Sequence, residues 1–254
     1  MVTSETLLEL AREYDRKGHL GEAAAAYQRA AATAEESGEL REAAEALRRL
    51  AVVHCKRQDG GAARALCERS EQLSRTARDP DLVAEALNTA GGLELMDERF
   101  ELARERFLAA ASIARSPDLL GRIEQNLATV ASGQGDFVEA LLRYQNSLTG
   151  FEAAGNHDGC AVAYHNLGVA SGDLRLWADA DRYFRLCLDA LRSSGGDLHL
   201  RGLASLNHAH ALAGLDRLGE ARRAAEAAAG IFEELQAPRE LADAYVALGK
   251  VLRR

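Results

Sequence analysis

The apolar and small positions of this chain return in a frame of about 40 residues. In one copy, Asn166-Leu167-Gly168 lies in a stripe of helical spacing, and Ala180 opens a second stripe 14 residues after Asn166. The frame recurs as Glu9-Leu10-Ala11 with Ala23, Arg49-Leu50-Ala51 with Ala63, Asn126-Leu127-Ala128 with Ala140, and Asn207-His208-Ala209 with Ala221. The third copy reads Asn88-Thr89-Ala90 with Ala103, one residue longer, and a half-copy ends the series at Ala247-Leu248-Gly249. The key positions 9, 49, 88, 126, 166, 207 and 247 are 40, 39, 38, 40, 41 and 40 residues apart. Four residues after the small residue of the second stripe come Tyr27, Cys67, Phe107, Tyr144 and Phe184, with Ala225 the weak case. Three further on come Ala30, Ser70, Ala110, Ser147, Cys187 and Ala228. That spacing keeps both positions on one helical face. A single hairpin cannot bury such a face, so the next copy must supply the missing wall.

Breakers fall in the same phase. Turn clusters occur at Ser37-Gly38, Asp79-Pro80-Asp81, Ser116-Pro117-Asp118, Gly155-Asn156-His157, Gly195-Gly196-Asp197 and Ala237-Pro238, and the prolines there are expected to end helices. Tighter turns recur mid-copy, as at Lys17-Gly18, Asp59-Gly60 and Gly172-Asp173. Each copy thus reads as helix A, a short turn, helix B and a connector. The expected fold is all-α, one solenoid over residues 1–254. Its units run approximately 3–38, 39–79, 80–117, 118–156, 157–197 and 198–238, with a terminal helix at 239–254. The packing face of that last helix is expected to hold Leu241, Ala244, Tyr245 and Leu248.

The Leu-Ala/Gly pair in helix A, the small residue opening helix B, and the aromatic followed by a small residue resemble the tetratricopeptide repeat (TPR) pattern. The resemblance covers essentially the whole chain. It implies a right-handed TPR-like α-solenoid of six helix-turn-helix repeats plus one terminal helix. The period departs from the usual 34 or so, and three connectors lack the terminal proline. Long units of this kind are similar to those of kinesin light chains, Rap-type bacterial peptide receptors and MalT-like regulators.

Composition narrows the function classes. Alanine dominates the apolar fraction, which suits close helix packing. No stretch approaches the roughly 18–20 apolar residues of a membrane span, and residues 1–15 have no signal-peptide pattern. A net charge of −8 leaves no basic footprint for nucleic acid. Cys55, Cys67, Cys160 and Cys187 form no CxxC pair or secreted framework, which fits a reducing cytoplasm. Phosphate-loop, zinc-protease and nucleophile-elbow motifs are missing, so the expectation is a non-catalytic chain without cofactor or metal.

The candidate chemistry is a ladder of amides. Asn88, Asn126, Asn166 and Asn207 share the key helix A position in this alignment. Asparagine costs about 0.5–0.7 kcal/mol relative to alanine inside a helix, so its recurrence calls for a compensating contact. On the resemblance, this face is the concave groove wall. An amide matches the C=O and N–H of a peptide unit, so the ladder would clamp the backbone of an extended peptide, or a partner helix. The alternative is that each asparagine bonds a neighbouring helix. Neighbours on the same face that would add specificity are Arg49, Arg122, Gln125, Thr129, His165 and His210. The arginines suit an acidic partner residue, or else pair within their own face. The partner is then a protein or peptide; a sensory module of a larger signalling or transcription-regulatory protein is the runner-up. Self-assembly into a homo-oligomer through the solenoid ends is a third reading.

Overall fold

The structure is a computed structural model and describes residues 2–253. Among these residues every regular element is a helix: α1 (Ser4–Arg16), α2 (Leu20–Ser37), α3 (Leu40–Lys56), α4 (Gly60–Thr76), α5 (Pro80–Met96), α6 (Phe100–Ile113), α7 (Pro117–Gly133), α8 (Phe137–Ala154), α9 (His157–Asp173), α10 (Trp177–Ser194), α11 (Leu198–Gly214), α12 (Leu218–Glu234) and α13 (Pro238–Leu252). The fold is the all-α TPR-like solenoid type, with odd-numbered helices in the A role and even-numbered ones in the B role. The chain divides into two compact units, Met1–Val130 and Ala131–Arg254, and the division falls in the last turn of α7.

Tight turns join the helices because one residue at most helix ends adopts the left-handed conformation. Gly18, Gly38, Gly135, Gly155 and Gly195 do so, and so do Gln58, Arg78, Glu98, Arg175, Asp216 and Gln236. The residue after each then donates its N–H back across the turn, as Glu39 does to the Ala34 carbonyl at 2.8 Å and Asp59 to the His54 carbonyl at 2.9 Å. Asp59, Asp79, Asp136, Asn156 and Asp197 next cap the following helix with a side-chain oxygen. The prolines act at the start of helices rather than at their ends: Pro80 and Pro238 lie in the first turns of α5 and α13, and Pro117 is the first residue of α7. At that place the absent N–H has no intrahelical acceptor to lose.

In the first unit, α1 to α6 and most of α7 pack their small residues inward. Ala23, Ala63 and Ala103 are fully buried, and Tyr27 and Phe107 fill the gaps between helices. Helix α6 is shorter than its counterparts, with 14 residues against 17 in α4, and ends in extended backbone at Ala114. The Asp81 carboxylate accepts from the Arg115 and Ser116 amides there, replacing the left-handed turn. In the second unit Ala140, Ala180 and Ala221 are fully buried; Phe184 packs with Ala180, and Phe232 with Ala228 and Ala229. On α13 the inward residues are Ala244, Ala247 and Val251, whereas Tyr245 is exposed, contrary to the sequence expectation. Leu241 packs on that face too, and Tyr245, about 100° round the helix from Ala244, turns away from it.

One register assignment changes. A Cβ built on Gly91 would lie 2.6 Å from the Phe107 ring, and one on Gly168 2.6 Å from the Phe184 ring. Gly91 is therefore the counterpart of Gly168 and stands 12 residues before Ala103, as Gly168 stands before Ala180. The third copy is not one residue longer in α5; the chain is shorter in α6.

A left-handed conformation costs a non-glycine residue about 1–2 kcal/mol, part of which glycine would return through its larger unfolded-state entropy. Gln58→Gly and Gln236→Gly should each stabilise the fold by roughly 0.5–1 kcal/mol, read as a higher melting temperature by circular dichroism. Unchanged or lower values would show that these side chains hold the turns in another way.

Candidate functional site

The corrected register separates the amides into two rows. Asn126, Asn166 and Asn207 each stand two residues before the small helix A residue, with Thr89, Arg49 and Glu9 in the same place in α5, α3 and α1. Asn88 lies one position earlier, in the row of Arg48, Gln125 and His165. The expectation of four asparagines at one identical position is thus corrected: three share it, and Asn88 occupies the adjoining row.

The two rows bond to each other. In the first unit Asn126 Nδ2 donates to Asn88 Oδ1 at 2.9 Å, bridging α7 and α5. In the second, Asn207 Nδ2 meets His165 Nε2 at 3.3 Å, bridging α11 and α9 between the same two rows. Since Asn207 Nδ2 can only donate, His165 Nε2 accepts, its Nδ1 carries the proton, and Nδ1 donates to Asn166 Oδ1 at 3.3 Å. Asn88, Asn126, Asn166 and Asn207 are all half-buried. Among the described residues no hydrogen bond engages Asn88 Nδ2 or Asn126 Oδ1 in the first unit, nor Asn166 Nδ2 or Asn207 Oδ1 in the second, so each pairing keeps an amide NH2 and an amide oxygen unspent.

The arginines are bound by the chain's own carboxylates. Arg49 Nε donates to Glu45 Oε1 at 2.9 Å, and Arg12 Nη2 reaches the same oxygen at 2.7 Å. Arg122 pairs with Glu85 at 3.0 Å and Asp118 at 3.2 Å, and the largely buried Arg48 meets Glu85 at 2.7 Å. Glu45 shows how the balance falls. Burial alone would raise its pKa, but the hydrogen bonds from Arg12 and Arg49 outweigh that and hold the carboxyl below its usual range. Thr129 is exposed and its hydroxyl bonds back to the Gln125 carbonyl at 3.0 Å.

In the second unit His210 and Asn207 line a cleft of about 350 Å³ between α9, α10, α11 and α13. Trp177 and Phe184 form its apolar wall, and Asp173 and Lys250 its charged rim. Trp177 fits only because α11 ends in glycine: a Cβ on Gly214 would lie 2.5 Å from the indole. Burial lowers the His210 pKa, and the Lys250 ammonium lowers it further.

Sequence reasoning missed the buried carboxylate of Asp181. His208 Nε2 bonds Asp181 Oδ1 at 2.7 Å, and Arg217 Nη1 donates to Oδ2 at 3.0 Å. Burial opposes ionisation there, while His208, Arg185 and Arg217 together hold the carboxyl below its ordinary value. Asp181 follows Ala180 directly, but nothing in its local pattern reveals partners 27 and 36 residues away. No group of three metal-ligating side chains occurs among the described residues, and no helix there is long and apolar enough to cross a membrane.

The Tetratricopeptide repeat family model matches residues 42–116 and 119–193, more than half of the chain. The chain belongs to the tetratricopeptide repeat family. No curated protein matches it by sequence. Solved structures with this TPR fold include BtubC (BKLC) from P. vanneervenii, with a TM-score of 0.77 and 19% identity over 86% of this chain and 92% of that one. A Rap protein complexed with Competence and Sporulation Factor matches at a TM-score of 0.71 and 14% identity, over 98% of this chain and 75% of its own. A signal transduction ATPase with numerous domains and a TPR sensor, from Pyrococcus horikoshii, gives 0.67 and 15%, over 98% and 42%.

The relay through His165 sets a pH dependence. Burial lowers the His165 pKa from its ordinary 6.5, the bond with Asn166 opposing this. The unfolded chain therefore takes up the proton first. The stability present above about 6.5 is lost as pH falls through that value toward the folded pKa. Urea midpoints at pH 7 and pH 5 should differ less in His165→Gln, which places in α9 the residue that α7 carries in that row. An equal difference in both proteins would remove His165 from the account.

Proposed function

We propose that this TPR chain is a non-catalytic scaffold that binds an extended peptide segment of a protein partner through its helix A amides. The observation that carries this reading is the unspent donor and acceptor left by each amide pairing, half-buried on the helix A face. A peptide backbone presents the complementary C=O and N–H at every residue, so such a pair engages main chain whatever the side-chain sequence. The internal bonds hold the amides in place beforehand, which reduces the ordering cost of binding. In the second unit the cleft beside Asn207 offers an apolar wall at Trp177 for a side chain of the bound segment. The Rap protein found with Competence and Sporulation Factor is a precedent for a partner held on this fold.

Paired arginines change the expected partner. Arg49 and Arg122 are already neutralised by Glu45, Glu85 and Asp118, so selectivity along the amide rows rests on backbone recognition more than on charge.

The test is selection of a random-sequence peptide library on the wild-type chain, followed by measurement on Asn126→Ala with Asn166→Ala. Selected peptides should bind the double variant about tenfold more weakly, the worth of roughly one to two hydrogen bonds, while helicity and melting temperature change little. A drop in melting temperature with unaltered peptide affinity would assign the amides to helix packing alone.

A further inference from the structure

Asp173 and Lys250 stand on the rim of one cleft, that beside Asn207. Among the described residues neither forms an ion pair or side-chain hydrogen bond, with the other or with any third group. Asp173 is exposed and is the last residue of α9. A negative charge there opposes the helix dipole, and partial burial raises its pKa with no cation acting against the shift. No contact within the chain offsets that cost. Lys250 is exposed in the last turn of α13, where its charge suits the dipole but meets no acid. Two opposite charges left uncombined at one cleft call for a ligand that answers both.

Between them the wall is apolar, built from Trp177 and Phe184. The indole lies against Gly172 and Gly214, so the ends of α9 and α11 fix its position. Asn207 adds an amide oxygen that no hydrogen bond engages among the described residues. His210 is neutral at pH 7: burial lowers its pKa and Lys250 lowers it further, against an opposing pull from Asp243. The cleft thus presents one negative and one positive group around an aromatic wall. At about 350 Å³ it is at the small end of ligand sites. A side chain of a bound peptide carries at most one sign, so a lysine would be repelled by Lys250 and an acid by Asp173. A small zwitterion satisfies both.

We propose that this cleft binds a free α-amino acid with an apolar side chain of leucine size. Asp173 and Asn207 Oδ1 take its ammonium, Lys250 Nζ takes its carboxylate, and its side chain lies on the Trp177 indole. Charge-assisted bonds at the two ends fix the ligand's orientation, and the ring supplies apolar burial. The site does not rest on the scaffold reading. Where a peptide segment also binds, the amino acid competes with it for the Trp177 wall.

Trp177 is the single tryptophan of the chain, so its fluorescence reports this cleft. The experiment titrates the full chain with L-leucine at pH 7 and constant ionic strength, with N-acetyl-L-leucine, L-leucinamide and N-acetyl-L-leucinamide as parallel arms. Leucine should give a saturable change. Blocking its ammonium or its carboxylate should weaken binding roughly five- to tenfold, the worth of one charge-assisted bond at a partly exposed rim. Asp173→Asn should weaken leucine by a similar factor and leave N-acetyl-L-leucine unaffected; Lys250→Gln should weaken leucine and leave L-leucinamide unaffected. Both variants should keep the wild-type melting temperature closely, Asp173→Asn equalling or exceeding it, because neither side chain has a partner in the chain to lose. No saturable change with leucine, or variants that bind it like the wild type, would overturn the proposal. Equal binding of N-acetyl-L-leucinamide would overturn it too and return the cleft to a side chain of a bound segment. A failed peptide selection would leave the leucine result standing, so the two readings fail separately.

Discussion

An aromatic ring pressed against nearly bare backbone is the contact on which the rest of this chain depends. Phe107 lies over Gly91 and Phe184 over Gly168, with no room for a Cβ between ring and helix. Phe232 stands in the same relation to Gly202 at the other side of its helix pair. Such contacts let the two helices approach closely and bury the large rings. They also set the rotation of each helix A about its axis. Once the small residue faces the ring, the positions two and three residues earlier must lie together on another face, half-open to solvent.

The polar chemistry follows from that rotation. Asn126 meets Asn88, and Asn207 meets His165, because both pairs join the same two rows on adjacent A helices. The repetition of one geometry with different side chains argues that backbone register, set by the core, chooses the partners. Ion pairs follow the same logic in the first unit, where Glu85 of α5 stands between Arg48 of α3 and Arg122 of α7. Partial exposure makes each pair modest in energy. Their larger effect is to withdraw charge from the face, leaving amides as its most available groups.

Much of this was legible in the chain itself. Alanines at a 40-residue spacing, an aromatic four residues on and turns in a fixed phase are local signals, and local signals survive without knowledge of the fold. The helix count, the hairpin arrangement and the buried alanines Ala23, Ala63, Ala103, Ala140, Ala180 and Ala221 follow from them. The placement of Asn88 did not, because Ala90 and Gly91 are both small, and only the ring of Phe107 distinguishes them. Tyr245 misled for a similar reason: apolar character marks it for burial, while the turn of α13 that packs inward presents Ala244 and Ala247 and leaves Tyr245 exposed.

Sequence alone therefore determined the repeat, the helices and the family, since period, propensity and small-residue spacing are properties of neighbouring residues. Tertiary structure decided which amides bond, which arginines are already paired, and that Asp181 is buried among His208 and Arg217. The contacts between helices among these join residues 27 to 42 positions apart, where a shift of one residue turns a helix by about 100° and replaces one partner with another.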